Sequence, residues 1–129
     1  MGNYLLDTQA VIWYFDGNKH LPAHIANTIS DISNSVFVSR VSFWEISIKL
    51  NLGKLKLSVD LFTLMQQCEN AGFFILGLEN EHILELQELP LHHRDPFDRL
   101  LVAQCLTEDL KIISIDEVLD NYAVERIWK

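Results

Sequence analysis

Tyr4-Leu5-Leu6-Asp7 near the start of the chain and Ile112-Ile113-Ser114-Ile115-Asp116 near its end are short apolar runs, each closed by an aspartate. They are rich in branched side chains and not amphipathic, the pattern of strands buried on both faces of a parallel sheet. Asp7 and Asp116 therefore fall at the carboxyl ends of strands. Two further acids stand at expected helix starts. Glu45 follows Ser42 by three residues, a capping-box pattern, and Asp98 follows Asp95 by three, with Pro96 at the first helical position. In a right-handed parallel α/β fold the helices begin on the edge of the sheet where the strands finish. Asp7, Glu45, Asp98 and Asp116 are thus expected on one edge, although they are scattered from one terminus to the other.

Helix capping alone would explain Asp95 and the Ser42–Glu45 pair. The strand-end acids are harder to explain that way, because a carboxylate directly after a buried apolar strand loses hydration unless something pairs with it. Asp98 is in helical register with Leu101, Val102 and Cys105, which places it near the packed face of its helix. A crowded group of like charges needs a cation. With ten Lys and Arg against eighteen Asp and Glu, the candidate is a hard divalent metal with oxygen ligands, Mg²⁺ or Mn²⁺.

The remainder of the chain reads as strands alternating with helices and shows no repeat, low-complexity tract or linker, which points to α/β with a mainly parallel sheet of four to five strands. A strand at 3 to 7 leads into a short helix through Ala10, Val11, Trp13 and Tyr14. A second helix at 22 to 33 carries Ile25, Ile29 and Ile32 on one stripe. Strand Val36-Phe37-Val38 turns at Ser39 into the Glu45 helix, which stops at Asn51-Leu52-Gly53 with a glycine C-cap signal. A helix at 58 to 70, strand Phe73-Phe74-Ile75-Leu76, a helix at 79 to 88 and a loop at 89 to 94 precede the Asp98 helix. The Ile112 strand, a short helical segment at 117 to 121 and an edge strand at 124 to 127 complete the chain, read as one domain over 1 to 129.

A chain of 129 residues, 49% hydrophobic, can bury one substantial core without disulfides or metals to staple it. Cys68 and Cys105 lie in helical patterns without metal-ligand spacing and read as core thiols in a reducing cytoplasm. No apolar run approaches membrane-spanning length, and no membrane partner is expected. The net charge of −8 argues against a nucleic-acid binder that relies on a broad basic surface. The positive charge is unevenly placed, however, with Lys49, Lys54 and Lys56 around one helix end and Arg94 and Arg99 near the expected site. The acidic remainder suits a basic protein partner.

These motifs carry a resemblance. Leu5-Leu6-Asp7-Thr8, then Ser42-Phe43-Trp44-Glu45-Ile46 with Lys49 and Gly53-Lys54-Leu55, the run from Leu89 to Gln104, Ser114-Ile115-Asp116 and Tyr122 together resemble a PIN-domain ribonuclease of the VapC type, the toxin of a toxin-antitoxin pair. The resemblance implies a three-layer α/β/α sandwich with Asp7, Glu45, Asp98 and Asp116 as ligands of Mg²⁺, for which Mn²⁺ can substitute. It also implies endonucleolytic cleavage of RNA, a homodimer, and a cognate small antitoxin seated in an apolar groove near the helices of residues 10 to 33. Two carboxylate-held ions about 4 Å apart can activate a water and stabilise both attacking and leaving oxygens of a phosphodiester. Asp7 and Asp98 are expected to bridge the metals, with Asp116 and Glu45 acting through one ion or its waters.

Other residues read mainly as structure. Thr8 and Ser114 flank strand-end acids and either orient a ligand carboxylate or cap the next helix; neither is read as a nucleophile. Asp95 is read as an N-cap. His92 and His93 are adjacent, so they point apart, and His93 is the one placed to touch substrate. Arg94 and Arg99 could clamp a phosphate, Lys49 pairs with Glu45 across one helical turn, and Trp13 and Trp44 are expected in the core. Two other readings stay open: a receiver- or phosphatase-like domain, which the Asp7-Thr8-Gln9 sequence does not favour because it lacks a second aspartate two residues on, and a catalytically silent PIN-like module kept for protein binding.

Overall fold

The computed structural model describes residues 1–129, and its strands form where the apolar runs lie. The elements in chain order are β1 (Asn3–Leu6), α1 (Thr8–Asp16), α2 (Ala23–Ser30), β2 (Ser35–Ser39), α3 (Arg40–Asn51), α4 (Leu61–Asn70), β3 (Phe74–Leu76), α5 (Asn80–Glu88), α6 (Pro96–Glu108), β4 (Lys111–Ile113), a 3-10 turn (Glu117–Asn121) and β5 (Arg126–Ile127). The five strands form one sheet in the order β3-β2-β1-β4-β5, and every pairing is parallel. β1 is central, with Leu5 opposite Phe37 and Ile112, and Leu6 opposite Val38 and Ile113.

Alternation along the strands divides the core in two. Leu6, Val36, Val38 and Ile113 face α1, α2 and α4, while Leu5 and Ile112 face α6, with Leu101, Val102 and Cys105. Helices on both faces of a parallel sheet make the three-layer α/β/α sandwich. Leu5, Leu6, Ile112 and Ile113 are all fully buried, each side chain contributing about 1.5–3 kcal/mol of transfer free energy. Cys68 and Cys105 are buried free thiols, and burial pushes the Cys68 thiol up to about 12.

Several boundaries differ from the sequence reading for local reasons. The second helix stops at Ser30, not 33, because the Asp31 side chain takes hydrogen bonds from the Ser33 backbone and hydroxyl, closing a turn. Ile32, expected on the apolar stripe, is consequently fully exposed. The helix expected from 58 begins at Leu61 because Asp60 is its N-cap, accepting from the Thr63 backbone N–H. β4 ends at Ile113 and β5 is two residues long; the Ser114 N–H makes the last ladder bond, to the Ile127 carbonyl, and Ile115 lies beyond it.

The largest correction concerns α3. Ser42 does not cap it: β2 runs directly into the helix, the Ser39 hydroxyl accepts from the Val41 N–H, and Arg40 is the first helical residue. Glu45 therefore lies in the second turn, not the first, with Ser42 buried inside the helix. Buried polar bonds fix the direction of entry. The Ser39 hydroxyl donates to Gln104 Oε1 at 2.6 Å, and Gln104 Nε2 donates to the Gly77 carbonyl at 3.1 Å. The wholly buried His82 accepts the Glu79 N–H at Nδ1 and so donates from Nε2 to Glu108 at 2.8 Å. α3, α5 and α6 are thus tied together beneath the edge where the acids gather.

Candidate active site

All four acids reach one cavity of about 330 Å³ at the carboxyl edge of the sheet, whose lining also includes Thr8, Lys49, Leu55 and Asp95. Asp7 leaves β1 and caps α1, its Oδ1 accepting from the Ala10 N–H at 2.8 Å while the residue stays 7% exposed. Glu45 comes from α3, also buried. Asp98 is in the first turn of α6, and Asp116 caps the 3-10 turn through Val118. Asp95 caps α6, its Oδ1 accepting from the Phe97 and Asp98 backbones, and its side chain also faces the cavity.

The hydroxyl groups beside the acids hold carboxylates. Thr8 Oγ1 donates to Glu45 Oε1 at 2.7 Å, which uses its single proton, so the Ser42 hydroxyl 3.0 Å away donates to Thr8. Ser114 Oγ accepts the Asp116 N–H at 3.0 Å and turns its own proton to Asp7. Lys49 Nζ lies 2.6 Å from Glu45 Oε2. Both Glu45 oxygens are therefore already partnered.

His93 is more closely engaged than the sequence reading placed it. The Asp95 N–H donates to its Nδ1 at 3.0 Å, which leaves the imidazole proton on Nε2. Nε2 then lies 2.7 Å from Asp116 Oδ2 and 3.2 Å from Asp98 Oδ2. The Tyr122 hydroxyl accepts the backbone N–H groups of His92 and His93, fixing the loop. His92 points the other way and packs edge-on against the Tyr122 ring. The available signal was the spacing of His93 two residues before a helix cap and five before Asp98, but spacing in a loop does not disclose direction.

Charge in the cavity is only partly compensated. Burial pushes Asp7 up to about 6, the Ser114 and Ala10 hydrogen bonds pulling against it and the Glu45 and Asp116 charges adding to it. Asp98 rises to about 7, again through burial first, then through the charges of Asp95, Asp7 and Glu45, with His93 opposing. Lys49 is held above its ordinary value by its hydrogen bond to Glu45 and by the surrounding acids. Two carboxyls that resist ionisation, beside others that carry charge, mark a place short of positive charge. Carboxylate oxygens with that deficit fit a hard divalent cation, and His93 shares their space, its ring nitrogen and the Asp98 and Asp116 oxygens all lying within 4.8 Å of one another.

Two arginines lie outside the cavity lining, and one expectation for a neighbouring residue fails. Arg99 does not line the cavity and donates from Nη2 to the Leu89 carbonyl at 3.2 Å, holding the loop. Arg94 is exposed and does not line the cavity. Trp44 is 52% exposed instead of buried, resting edge-on against Phe97 at 5.1 Å, because it lies on the outward stripe of α3 with Ile48 while Phe43 and Ile46 take the buried face. Trp13 is half-buried, stacked on His20 and reaching the rim of the cavity.

Solved structures share the architecture across their whole length. One chain of the VapBC2 complex from Rickettsia felis bound to a promoter DNA fragment is 11% identical with a TM-score of 0.74, covering 98% of this chain and 99% of that one. A chain of DNA-bound VapBC from Salmonella typhimurium is 10% identical with a TM-score of 0.67, both chains being fully covered. A chain of FitAB bound to the IR36 DNA fragment is 18% identical with a TM-score of 0.65, covering 98% of this chain and 96% of that one. At these identities the likeness shows the fold. No curated protein matches the sequence significantly. The PIN domain model matches residues 4–125, spanning β1 to the approach of β5 and with them all four cavity acids, and the chain therefore belongs to the PIN domain family.

Proposed function

We propose that this chain is a divalent-metal-dependent endoribonuclease of the VapC type, acting as the toxin of a toxin-antitoxin pair. PIN domains are generally nucleases. The observation that carries the reading here is the shared cavity of Asp7, Glu45, Asp98 and Asp116, with Asp7 and Asp98 held at about 6 and 7 by burial among like charges. These four acids would hold Mg²⁺ or Mn²⁺, and bound metal would supply Lewis-acid activation of water and of a phosphodiester oxygen. Thr8 and Ser114 orient Glu45 and Asp7. Lys49 offsets the charge of Glu45, and His93 Nε2 bridges Asp98 and Asp116. Asp95 stays a cap.

In this reading residues 1 to 129 act as one domain in a reducing cytoplasm, consistent with two buried thiols and no helix long and apolar enough to cross a membrane. The test is whether RNA is cut endonucleolytically in Mg²⁺ or Mn²⁺ and spared with chelator. Metal-independent cleavage, or none on any RNA, would overturn the reading. The fold neighbours come from complexes described as VapBC and FitAB on DNA, and a small antitoxin is the corresponding partner proposed here. A groove lined by Trp13, Tyr14, Leu21, Pro22 and Ala26 is its proposed seat. We further infer a homodimer. Trp44 and Ile48 on α3 and Leu52 at its C-cap lie at four-residue spacing and are 52%, 37% and 58% exposed, an apolar stripe suited to a second copy. Light scattering at high micromolar concentration should give twice the chain mass; a strict monomer would count against it.

A further inference from the structure

We propose that Gln9 and Trp13 form a nucleobase subsite on the uncharged wall of the acid cavity, which takes one unpaired base of an RNA strand. The proposal rests on the nuclease reading for the identity of the ligand. It begins from a division within the lining. The carboxylates and Lys49 make up one part, whereas Gln9, Ile12, Trp13, Leu55 and Ile115 carry no charge. Metal and phosphate account for the first part. They leave the second without a task, and a nucleotide has the same division, an anionic phosphate joined to a flat, neutral base.

Three of the uncharged residues come from one face of α1. Gln9, Ile12 and Trp13 stand at i, i+3 and i+4, so they share the side of the helix turned to the cavity. Ile12 is buried, Trp13 half-buried and Gln9 exposed, which leaves the indole and the amide within reach of a ligand. The indole is held in place. His20 stacks on it with centroids 5.2 Å apart and planes 24° apart, and Trp128 tilts against it at 6.0 Å. The His20 ring is itself bonded from Nδ1 to Asn18 Oδ1 at 2.9 Å. A ring fixed by its neighbours loses little freedom when a base stacks on the surface they leave open to the cavity.

The polar groups of this wall are also available. The side-chain hydrogen bonds of α1 and its cap join Asp7 to the Ala10 N–H, Thr8 to Glu45 and Ser42, and Asp16 to Ser58, and neither the Gln9 amide nor the Trp13 indole N–H takes part in one. A carboxamide offers a donor and an acceptor side by side, the complement of the edge an unpaired base presents. In a duplex that edge is paired and the base face is stacked, so the subsite selects single strands. Trp13 also lines the groove proposed above for the antitoxin, but Gln9 does not. Gln9 therefore separates a bound base from a bound protein.

The experiment compares wild type with Trp13→Ala, Trp13→Phe and Gln9→Ala, and with Phe62→Ala, which removes an exposed ring outside the cavity. Binding is read by fluorescence anisotropy in Ca²⁺, a cation suited to carboxylate oxygens, with probe integrity checked on a gel. Three probes of one length are used: a mixed-sequence single-stranded RNA, its duplex, and an abasic ribose-phosphate strand. Cleavage is read separately in Mn²⁺. Wild type is expected to hold the single strand about tenfold more tightly than the abasic strand, as one base–aromatic stack would give. Trp13→Ala loses about tenfold on the single strand and Gln9→Ala about three- to tenfold, and neither loses affinity for the abasic strand. Trp13→Phe, which keeps a stacking ring, and Phe62→Ala stay within about twofold of wild type. Duplex binding is the same in all five proteins.

Unchanged single-strand binding in Gln9→Ala or in Trp13→Ala, or an equal loss on the abasic strand, overturns the subsite. If wild type still cuts RNA in that case, the nuclease reading survives and the uncharged wall serves the protein partner. Base-dependent binding by a wild type that cuts no RNA leaves the subsite and removes the nuclease. Should Trp13→Ala fail to fold, Gln9→Ala, an exposed change on the same helix, decides alone.

Discussion

Asp7→Asn and Asp98→Asn are each expected to lower metal-dependent RNA cleavage by about three orders of magnitude or more in folded protein. The metal's contribution to transition-state charge is worth several kcal/mol, and each 1.36 kcal/mol is tenfold in rate. The two acids come from different layers, Asp7 from the end of β1 and Asp98 from the start of α6, so neither can substitute for the other. Asn retains the shape and can still cap α1 at position 7, where the Asp7 carboxylate now accepts from Ala10. The loss should therefore fall on kcat and on metal affinity, not on folding. Asp95→Asn is the internal contrast. Its carboxylate is committed to the Phe97 and Asp98 N–H groups, a task asparagine performs nearly as well, so activity should stay within about tenfold of wild type. Initial rates on one RNA in Mn²⁺, with circular dichroism of each variant, decide the matter. Near-wild-type turnover in Asp7→Asn or Asp98→Asn removes them from the site, and complete inactivity of folded Asp95→Asn adds Asp95 to it.

What was legible beforehand was the part governed by backbone periodicity. Leu5-Leu6 and Ile112-Ile113 could be recognised as buried parallel strands because such strands carry apolar residues on both faces. From parallel order and right-handed crossover the convergence of Asp7, Asp98 and Asp116 follows without any contact being known. Glu45 reached the cavity for a different reason from the one its spacing suggested. Two serines, Ser39 and Ser42, could each have capped α3, and the choice was made by Gln104, sixty-five residues away, to which Ser39 is bonded. Local pattern cannot see that partner. The same holds for His93, whose direction depends on Tyr122 pinning its loop, and for Arg99, drawn to the Leu89 carbonyl. Trp44 was misplaced because hydrophobicity alone made it look like core, whereas it shares an outward apolar stripe with Ile48 and Leu52.

Asp98→Asn should also stabilise the metal-free protein near neutral pH while depriving it of stabilisation by metal, and this needs no substrate. Asp7 and Asp98 are raised from 3.8 to about 6 and about 7, so the folded state holds their protons more tightly than the unfolded state does. Their favourable contribution is complete below about pH 4 and disappears as pH rises through 6 and 7. For Asp7 alone the two values differ by about 2 pKa units, ~3 kcal/mol, and Asp98 shares neighbours with it, so the two effects overlap. Asp31, Asp60 and Asp120 are lowered by their hydrogen bonds, and the stability they add fails only in more acid solution. In chelator the melting temperature should therefore fall between pH 5 and pH 8. Mn²⁺ should reverse the trend, since it binds the ionised acids, adding about 2.7 kcal/mol at a hundred times its dissociation constant. For a chain of this size that is roughly 10 °C. Asp98→Asn should flatten the chelator profile, melt above wild type at pH 7.5 without metal, and lose most of the gain on adding it. If Asp98 were merely a first-turn charge complementing the α6 dipole, the variant would instead be weaker by about 0.3–1 kcal/mol with or without metal. A metal-independent loss of that size refutes a shared acidic pocket at Asp98, because an acid held up to about 7 by burial and then by the charges of its neighbours must relieve both costs when it is neutralised.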